Sequence, residues 1–377
     1  MILRKTISSF LIVLILLLGI SSNVLANEER DELYTGEVIS IISDEKIEYE
    51  TSGGAYTFRQ QVMKVKLLDG KYQGQLVEVV NDIDDMMAYQ LIVSKGDKVI
   101  VFLSEYDNQF RIFDMKRDSQ ILWLVILFMA IMLIIGGWKG FKSILSLLIT
   151  LIAIVGVFLP RVLKGDNPLV LSIIISIIVT FFTILIISGV NKKSITAIMG
   201  ISFGVISAGL IALIFGQLTH LTGIASSEAQ MLMYIPQVLN EGLQLDFGDL
   251  LFASILLGTL GAVMDVCISI ASAISEIYDA NPALKVRQLF WSGMNIGRDI
   301  MGTMSNTLIL AYVGSSIHIM LLYLAYELPL KDILNQELVA TEIVRALTGT
   351  IGLVLSIPLT ALTGAILYKK NFFKRAN

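Results

Sequence analysis

Cysteine is almost absent from this chain: Cys267 stands alone among 377 residues, and histidine occurs twice. A lone cysteine closes no internal disulfide, and no CxxC or Cys/His spacing of a zinc site exists, so neither redox chemistry nor structural zinc is expected. No GxxxxGK[ST] stretch occurs either, which excludes the phosphate-binding loop of a nucleotide-driven engine. Charge is scarce as well. Only 16% of residues are charged, 55% are hydrophobic, and the mean hydropathy is +0.76. A soluble core of this length cannot hide so much apolar side chain, so lipid must cover part of it. The expected fold class is an α-helical polytopic membrane protein, with the bilayer as its first partner and no cofactor.

What is present divides into three parts. Arg4 and Lys5 precede FLIVLILLLGI, and NVLA then offers small residues for cleavage after Ala26, so residues 1–26 read as a signal peptide or an uncleaved signal anchor. Residues 27–118 are expected to be an extracytoplasmic β-rich domain, and residues 119–377 a polytopic helical membrane domain. In the first of these, the runs YTGEVISII, YTFRQQVMKVKLL, QLVEVV, DKVIVFLS and FRIFD are separated by TSGG, LDGK and SKGD. They predict five short strands closing a small barrel, OB-like in kind. This segment carries 19 acidic against 11 basic residues, a net charge of −8. That sign argues against nucleic acid as a partner. The run NDIDD at 81–85 reads either as a divalent-cation loop or, more commonly, as a solvated one.

From Ser119 onward the long apolar runs predict seven spans, near 120–138, 143–160, 168–190, 195–217, 250–275, 299–323 and 344–368. With the β-rich domain outside, eleven Lys and Arg fall on the inner side, from Lys139 to Arg375, and four on the outer: Arg161, Lys164, Lys331 and Arg345. This is the asymmetry of the positive-inside rule, and the reverse orientation would invert it. The outer connection 218–249 has no Lys or Arg, and its stretch EAQMLMYIPQVLNEGL reads as an interfacial helix or a re-entrant segment.

Polar residues recur at helical spacing within three spans. In the fifth they are Gly258, Gly261, Asp265, Ser269, Ser272 and Glu276, opposite Val263, Ile270 and Ile274. In the sixth they are Ser292, Asn295, Asp299, Gly302 and Asn306, with Arg298 beside Asp299. The seventh has Glu342, Arg345, Gly349, Gly352, Ser356 and Thr360. The three stripes are expected to turn toward one another around a shared interior. Individually, the glycines also fit close-packing seams, and the hydroxyls also fit bonds to their own helix carbonyls. Asp265 stands apart, ~15 Å from the cytoplasmic end of its span at 1.5 Å per residue. With no Lys or Arg expected at its depth, it is the candidate ion-coupling group, with Ser269, Asn306 and Ser356 as neutral ligands. Asp299 is expected in the first turn of the sixth span, favoured there by the helix dipole, and Arg298 is expected to pair with Glu276.

The stretches GAVMDVCISIASAISEI and SGMNIGRDIMGTMSNTLILAY closely resemble the YibE/F family of bacterial multi-pass membrane proteins, and the resemblance extends over most of residues 120–368. It implies the cell membrane and, loosely, a transport-like role, without a substrate. Two functions compete. The first is a secondary transporter or permease for a small solute or ion, using Asp265, Ser269, Ser272, Glu276, Asn295, Arg298, Asp299, Asn306 and Ser356. The second is an envelope scaffold or signalling protein whose outer domain binds a partner. An intramembrane enzyme is not expected, since no GxGD pattern occurs and no Ser/His pair accompanies a GxSxG elbow. A homologous membrane partner or a homo-oligomer completes the expectations.

Overall fold

The computed structural model of the chain describes residues 33–51, 54–84, 90–104, 106–234 and 245–369. The expected signal peptide, residues 235–244 of the outer connection and the basic tail beyond Lys369 lie outside them. The chain divides into two compact units between Phe141 and Lys142.

In the first unit five strands close a barrel in the order β1-β2-β3-β5-β4. They are β1 (Leu33–Thr51), β2 (Gly54–Leu67), β3 (Leu76–Asp84), β4 (Lys98–Leu103) and β5 (Phe110–Met115). All pairings are antiparallel except that of β3 with β5. Period-two alternation builds the interior: Met63, Val65 and Leu67 point inward on β2 while Lys64 and Lys66 face out. They meet Tyr34, Val38, Val79, Val99 and Val101 in one core.

Gln61 occupies the next inward position and is 1% exposed. Its carbonyl accepts from the Val93 backbone N–H at 3.0 Å and from Asn81 at 3.2 Å, and its amide donates to Asp44 at 3.0 Å. Asn81 also donates to the Leu91 carbonyl at 2.7 Å. These amides satisfy the polar groups of residues 91–93, a segment outside the strands, and so the polar side chains are buried without being orphaned. Of the acidic run 81–85, Asn81 is thus spent inside the barrel, and Asp82 accepts from Gln60 and Arg111. The side chains of Asp84 and Asp85 lie outside the described residues.

The second unit and the segment leading into it are helical. The helices are α1 (Asp118–Ile152), α2 (Leu159–Val162), α3 (Pro168–Ser188), α4 (Lys192–Leu218), α5 (Ser227–Leu232), α6 (Phe247–Ala280), α7 (Val286–Ser315), α8 (Ile317–Ala325), α9 (Leu330–Asn335) and α10 (Glu337–Lys369). A π-helical turn, Ala153–Phe158, joins α1 to α2. Side-chain caps start three of the long ones: Asn167, Asn191 and Asp246 accept from the backbone N–H groups of Val170, Ser194 and Asp249. Among the described residues, five stretches are long and apolar enough to cross a membrane: Asp118–Val162, α3, α4, α6 and α10. A sixth is the pair α7 and α8, bent by 56°.

The spans predicted at 120–138 and 143–160 lie in one long apolar stretch, as two helical segments that meet at a kink at Gly137, where φ is 52° and ψ is −128°. Only glycine adopts such a conformation at little cost. The span predicted to begin at Asp299 begins at Val286 instead, so Asp299 lies several turns inside α7 and the helix-dipole argument for it fails. Gly293 and Gly297 are packing residues. A β-carbon on Gly293 would lie 2.8 Å from Ile274 Cδ1 and 3.0 Å from the Ala361 β-carbon, and one on Gly297 would strike Ile357.

The tightest packing was not anticipated from the sequence. Gly200, Gly204, Ala208, Ala212 and Gly216 recur every fourth residue of α4, and all are buried. Gly352, Ser356, Thr360 and Gly364 do the same on α10. A β-carbon on Gly204 would lie 2.7 Å from that of Ser356 and 2.8 Å from Val263 Cγ1, and one on Gly352 would lie 2.8 Å from the Gly204 carbonyl oxygen. The two helices therefore meet at backbone contact, and α6 lies against both of them.

Two predictions follow from this packing and pairing. Replacing Gly204 with Leu should lower the thermal unfolding midpoint of the detergent-solubilised protein by an amount equivalent to about 1–3 kcal/mol, the usual cost of overpacking; an unchanged midpoint would refute the close approach. In the barrel, hydrogen bonds from Arg59 and then Gln61 hold the Asp44 carboxyl at about 2, below its ordinary 3.8. A depressed carboxyl stabilises the fold above the unfolded value and loses that contribution as pH falls from about 4 toward about 2. Asp44→Asn should flatten the acid dependence of barrel unfolding over that window, measured by circular dichroism, and an unaltered slope would count against the pair.

Candidate functional site

The apolar face of α6 is fully used. Val263 and Cys267 pack on Gly204 and Gly200 of α4, Ile270 and Ile274 on Gly297 and Gly293 of α7, and Thr259 on Gly349 of α10. Val263, Cys267, Ile270 and Ile274 are each 0% exposed. What remains is the other face. Ser254, Gly258, Gly261, Asp265, Ser269 and Glu276 are exposed along it, and Ser272 is half-buried. No aliphatic side chain interrupts that succession.

The contrast with neighbouring helices defines what this face is. On α3 the exposed residues include Val170, Ile174, Ile177, Phe181 and Phe182; on α4, Phe203, Ile206, Leu210 and Ile214; on α10, Ile343, Leu347, Ile351 and Leu355. Those are surfaces for hydrocarbon. Along α7, by contrast, Asn295, Arg298, Asp299, Gly302, Thr303, Asn306 and Thr307 are exposed. The polar stripes of α6 and α7 therefore lie open, and the part of the α10 stripe from Gly352 to Thr360 does not join them. Ser356 is 0% exposed, packs against α4 and donates to its own helix at the Leu353 carbonyl, 2.7 Å away. The shared interior of three stripes is not formed, because the small residues of α10 serve as its seam with α4.

Contacts along the two helices give their register. Ile274 meets Gly293, Ile270 meets Gly297, and Tyr312 Oη lies 3.0 Å from where a Gly258 β-carbon would stand. The helices run antiparallel, and Asp265 falls level with Gly302 to Ser305, close to Asn306. Gly204, at the middle of α4, packs on Val263, two residues from Asp265, which keeps Asp265 near the centre of the bundle. Arg298 falls level with Ser269 to Ser272, ~6–10 Å along the axis from Asp265 at 1.5 Å per residue, deeper than its expected place at the interface. Glu276 lies a turn or more further toward the cytoplasmic end expected from the charge pattern. That offset explains why the pair Arg298–Glu276 is not made; instead the guanidinium sits 5.5 Å from the centre of the Trp291 ring. Among the described residues, Asp265, Ser269, Glu276, Asn295, Asp299 and Asn306 have no side-chain hydrogen bond or ion pair, whereas Ser272 donates to the Ile268 carbonyl at 2.7 Å.

At the far end of the stripe the structure adds Tyr312, Glu342 and Arg345 to the candidate pathway. Tyr312 stands over Gly258, and Arg345 donates to Glu342 at 2.7 Å. The Arg345 Nε and the second Glu342 carboxylate oxygen are buried without partners among the described residues. Glu342 and Tyr312 also border a cavity of about 270 Å³ whose other walls are mainly aliphatic side chains of α7 to α10. A polar track thus runs from Glu342 and Tyr312 past Gly258 and Gly261 to Asp265, Ser269 and the charged residues Asp299, Arg298 and Glu276. The signal for its upper end was the i, i+3 spacing of Glu342 and Arg345, already visible as part of the seventh stripe.

Comparison with known proteins agrees with the resemblance carried by the two motifs. Residues 32–114 match the YibE/F family N-terminal domain, and residues 124–370 match the YibE/F-like protein family. No curated protein and no solved structure matches the chain. With both matches in sequence order and together covering nearly all of residues 32–370, the chain belongs to the YibE/F family.

Proposed function

We propose that the membrane unit is a secondary transporter or permease for a small solute or ion, that the α6–α7 face lines its pathway, and that Asp265 is the coupling group. The supporting observation is a face of α6 without one exposed aliphatic side chain, bearing an unpartnered carboxyl near the middle of the bundle. An ionised carboxylate at the centre of a membrane helix costs ~2.5–3.5 kcal/mol on insertion scales, so it persists where a proton, a cation or a polar partner meets it. Ser269 and Asn306, which share the open α6–α7 face, are the neutral ligands in this reading, and Ser356, packed against α4, is not. Arg298 lies against Trp291, and among the described residues no cation pairs with Asp265.

The frame around this pathway is also proposed. Counting the two segments on either side of Gly137 as separate spans, together with the bent pair, gives seven crossings. The strand order β1-β2-β3-β5-β4 with its single parallel pair supports an OB-like barrel. The excess of Lys and Arg on one set of loops favours an exported N-terminal domain and a cytoplasmic C-terminus at a bacterial cell membrane. The scaffold or signalling alternative draws on the barrel having its own core and lying in a separate compact unit.

Two measurements test the proposal. In proteoliposomes screened for cation and solute uptake with and without a proton gradient, Asp265→Asn should cut gradient-driven uptake by about tenfold or more and abolish its pH dependence. Normal uptake with an unchanged pH profile would remove Asp265 from the coupling role. Membrane-impermeant thiol labelling of intact cells should modify Asp84→Cys and Asp246→Cys but spare Lys193→Cys and Lys285→Cys. Labelling of Lys193→Cys would overturn the topology.

A further inference from the structure

The open α6–α7 face poses a problem that one copy of the chain does not solve. Asp265, Ser269, Asn295, Asp299, Gly302 and Asn306 are exposed within membrane-spanning helices, and hydrocarbon offers them no hydrogen bond. The face is also shaped for close approach. Among the described residues, no atom of another helix lies within 4 Å of where a β-carbon on Gly261 or Gly302 would stand. Elsewhere in this protein, glycines at helical spacing are filled by a neighbouring helix, as Gly200, Gly204 and Gly352 are.

We propose that a second copy of this chain covers the face, forming a two-fold dimer in which Asp265 of both copies lines one enclosed pathway. A two-fold axis along the membrane normal sets each residue beside residues of its own depth, so every polar group meets a polar counterpart. The charges are self-complementary in that arrangement. Arg298 and Asp299 are consecutive, both exposed, of opposite sign and outside any ion pair among the described residues. The axis brings Arg298 of each copy to the level of Asp299 of the other, twice over. The chain's own first apolar segment is a poorer cover, because Ile121–Ile135 contains no charged, amide or hydroxyl side chain. What the pathway carries rests on the transport reading above, but the interface does not.

The test uses full-length protein in native membranes. Gly261→Cys and Gly302→Cys, each with Cys267→Ala, should give a covalent homodimer on mild oxidation, while Leu210→Cys, on the aliphatic face of α4, should not. A disulfide formed within one chain between Gly261→Cys and Ala130→Cys, with no homodimer, would assign the face to the first segment and overturn the proposal. Folding is controlled separately: native mass spectrometry of the unmodified chain in nanodiscs should give twice the monomer mass. A monomer mass, or a complex with a different protein, would overturn it too. Gly261→Leu combined with Gly302→Leu, at two positions where an added β-carbon meets no other helix, should convert dimer to monomer; an undiminished dimer would place the interface elsewhere. If uptake never appears while these dimer results hold, the transport reading fails and the interface stands.

Discussion

Two helices in hydrocarbon gain little from burying aliphatic side chains, since lipid is as apolar as leucine; they gain from contact close enough to replace lipid by another backbone. The seam between α4 and α10 meets that condition, with Gly200, Gly204 and Ala208 facing Gly352, Ser356 and Thr360. Around it the remaining helices take their places. Val263 and Cys267 of α6 fit against the same glycines of α4, and α7 brings Gly293 and Gly297 down onto Ile274, Ile270 and Ile357. Once the apolar side of α6 is consumed in this way, its polar side has only one direction left to face. The candidate pathway is thus a consequence of where the glycines are, more than of any attraction among the polar residues themselves.

The barrel follows a different rule because it has water on one side. Its strands alternate Met63, Val65 and Leu67 with lysines, and a clean alternation of this kind sets the register. The exceptions are the inward-pointing Gln61 and the buried Asn81. Both amides are fully engaged, to Val93, Leu91, Asp44 and each other, so they anchor a segment that lacks strand hydrogen bonds. On the outer surface Arg111 bridges Asp82 and Asp107, and its hydrogen bond to Asp107 holds that carboxyl at about 2. Of the acidic run that looked available for a cation, Asp82 is in fact paired within the sheet.

The five strands were readable because period-two patterning and glycine-bearing turns are local. The membrane helices were readable because length and hydropathy are local as well, and the same holds for Asp265, whose isolation among apolar neighbours needs no structure to notice. Where the reading went astray, it judged ends and partners. The sixth span begins at Val286, thirteen residues before the predicted Asp299, and its Gly293 and Gly297 lie in a helix because Ile274 and Ile357 occupy the space above them. That shift carried Arg298 inward by several turns and separated it from Glu276. Ser356 was assigned to the pathway on spacing alone, although the same spacing serves a seam, and the five small residues of α4 at every fourth position were the unused clue to which.

Sequence alone determined the class of the molecule, its strands, the depth-graded distribution of its charge and the three faces on which polar residues gather, all of which depend on chemistry within a few residues of one another. Tertiary structure decided which face is buried and which is open. That choice is made by pairwise fit between distant segments: a glycine in α4 is a hole only when α10 supplies the knob, and a stripe in α6 becomes a surface only when every other side of the helix is already filled.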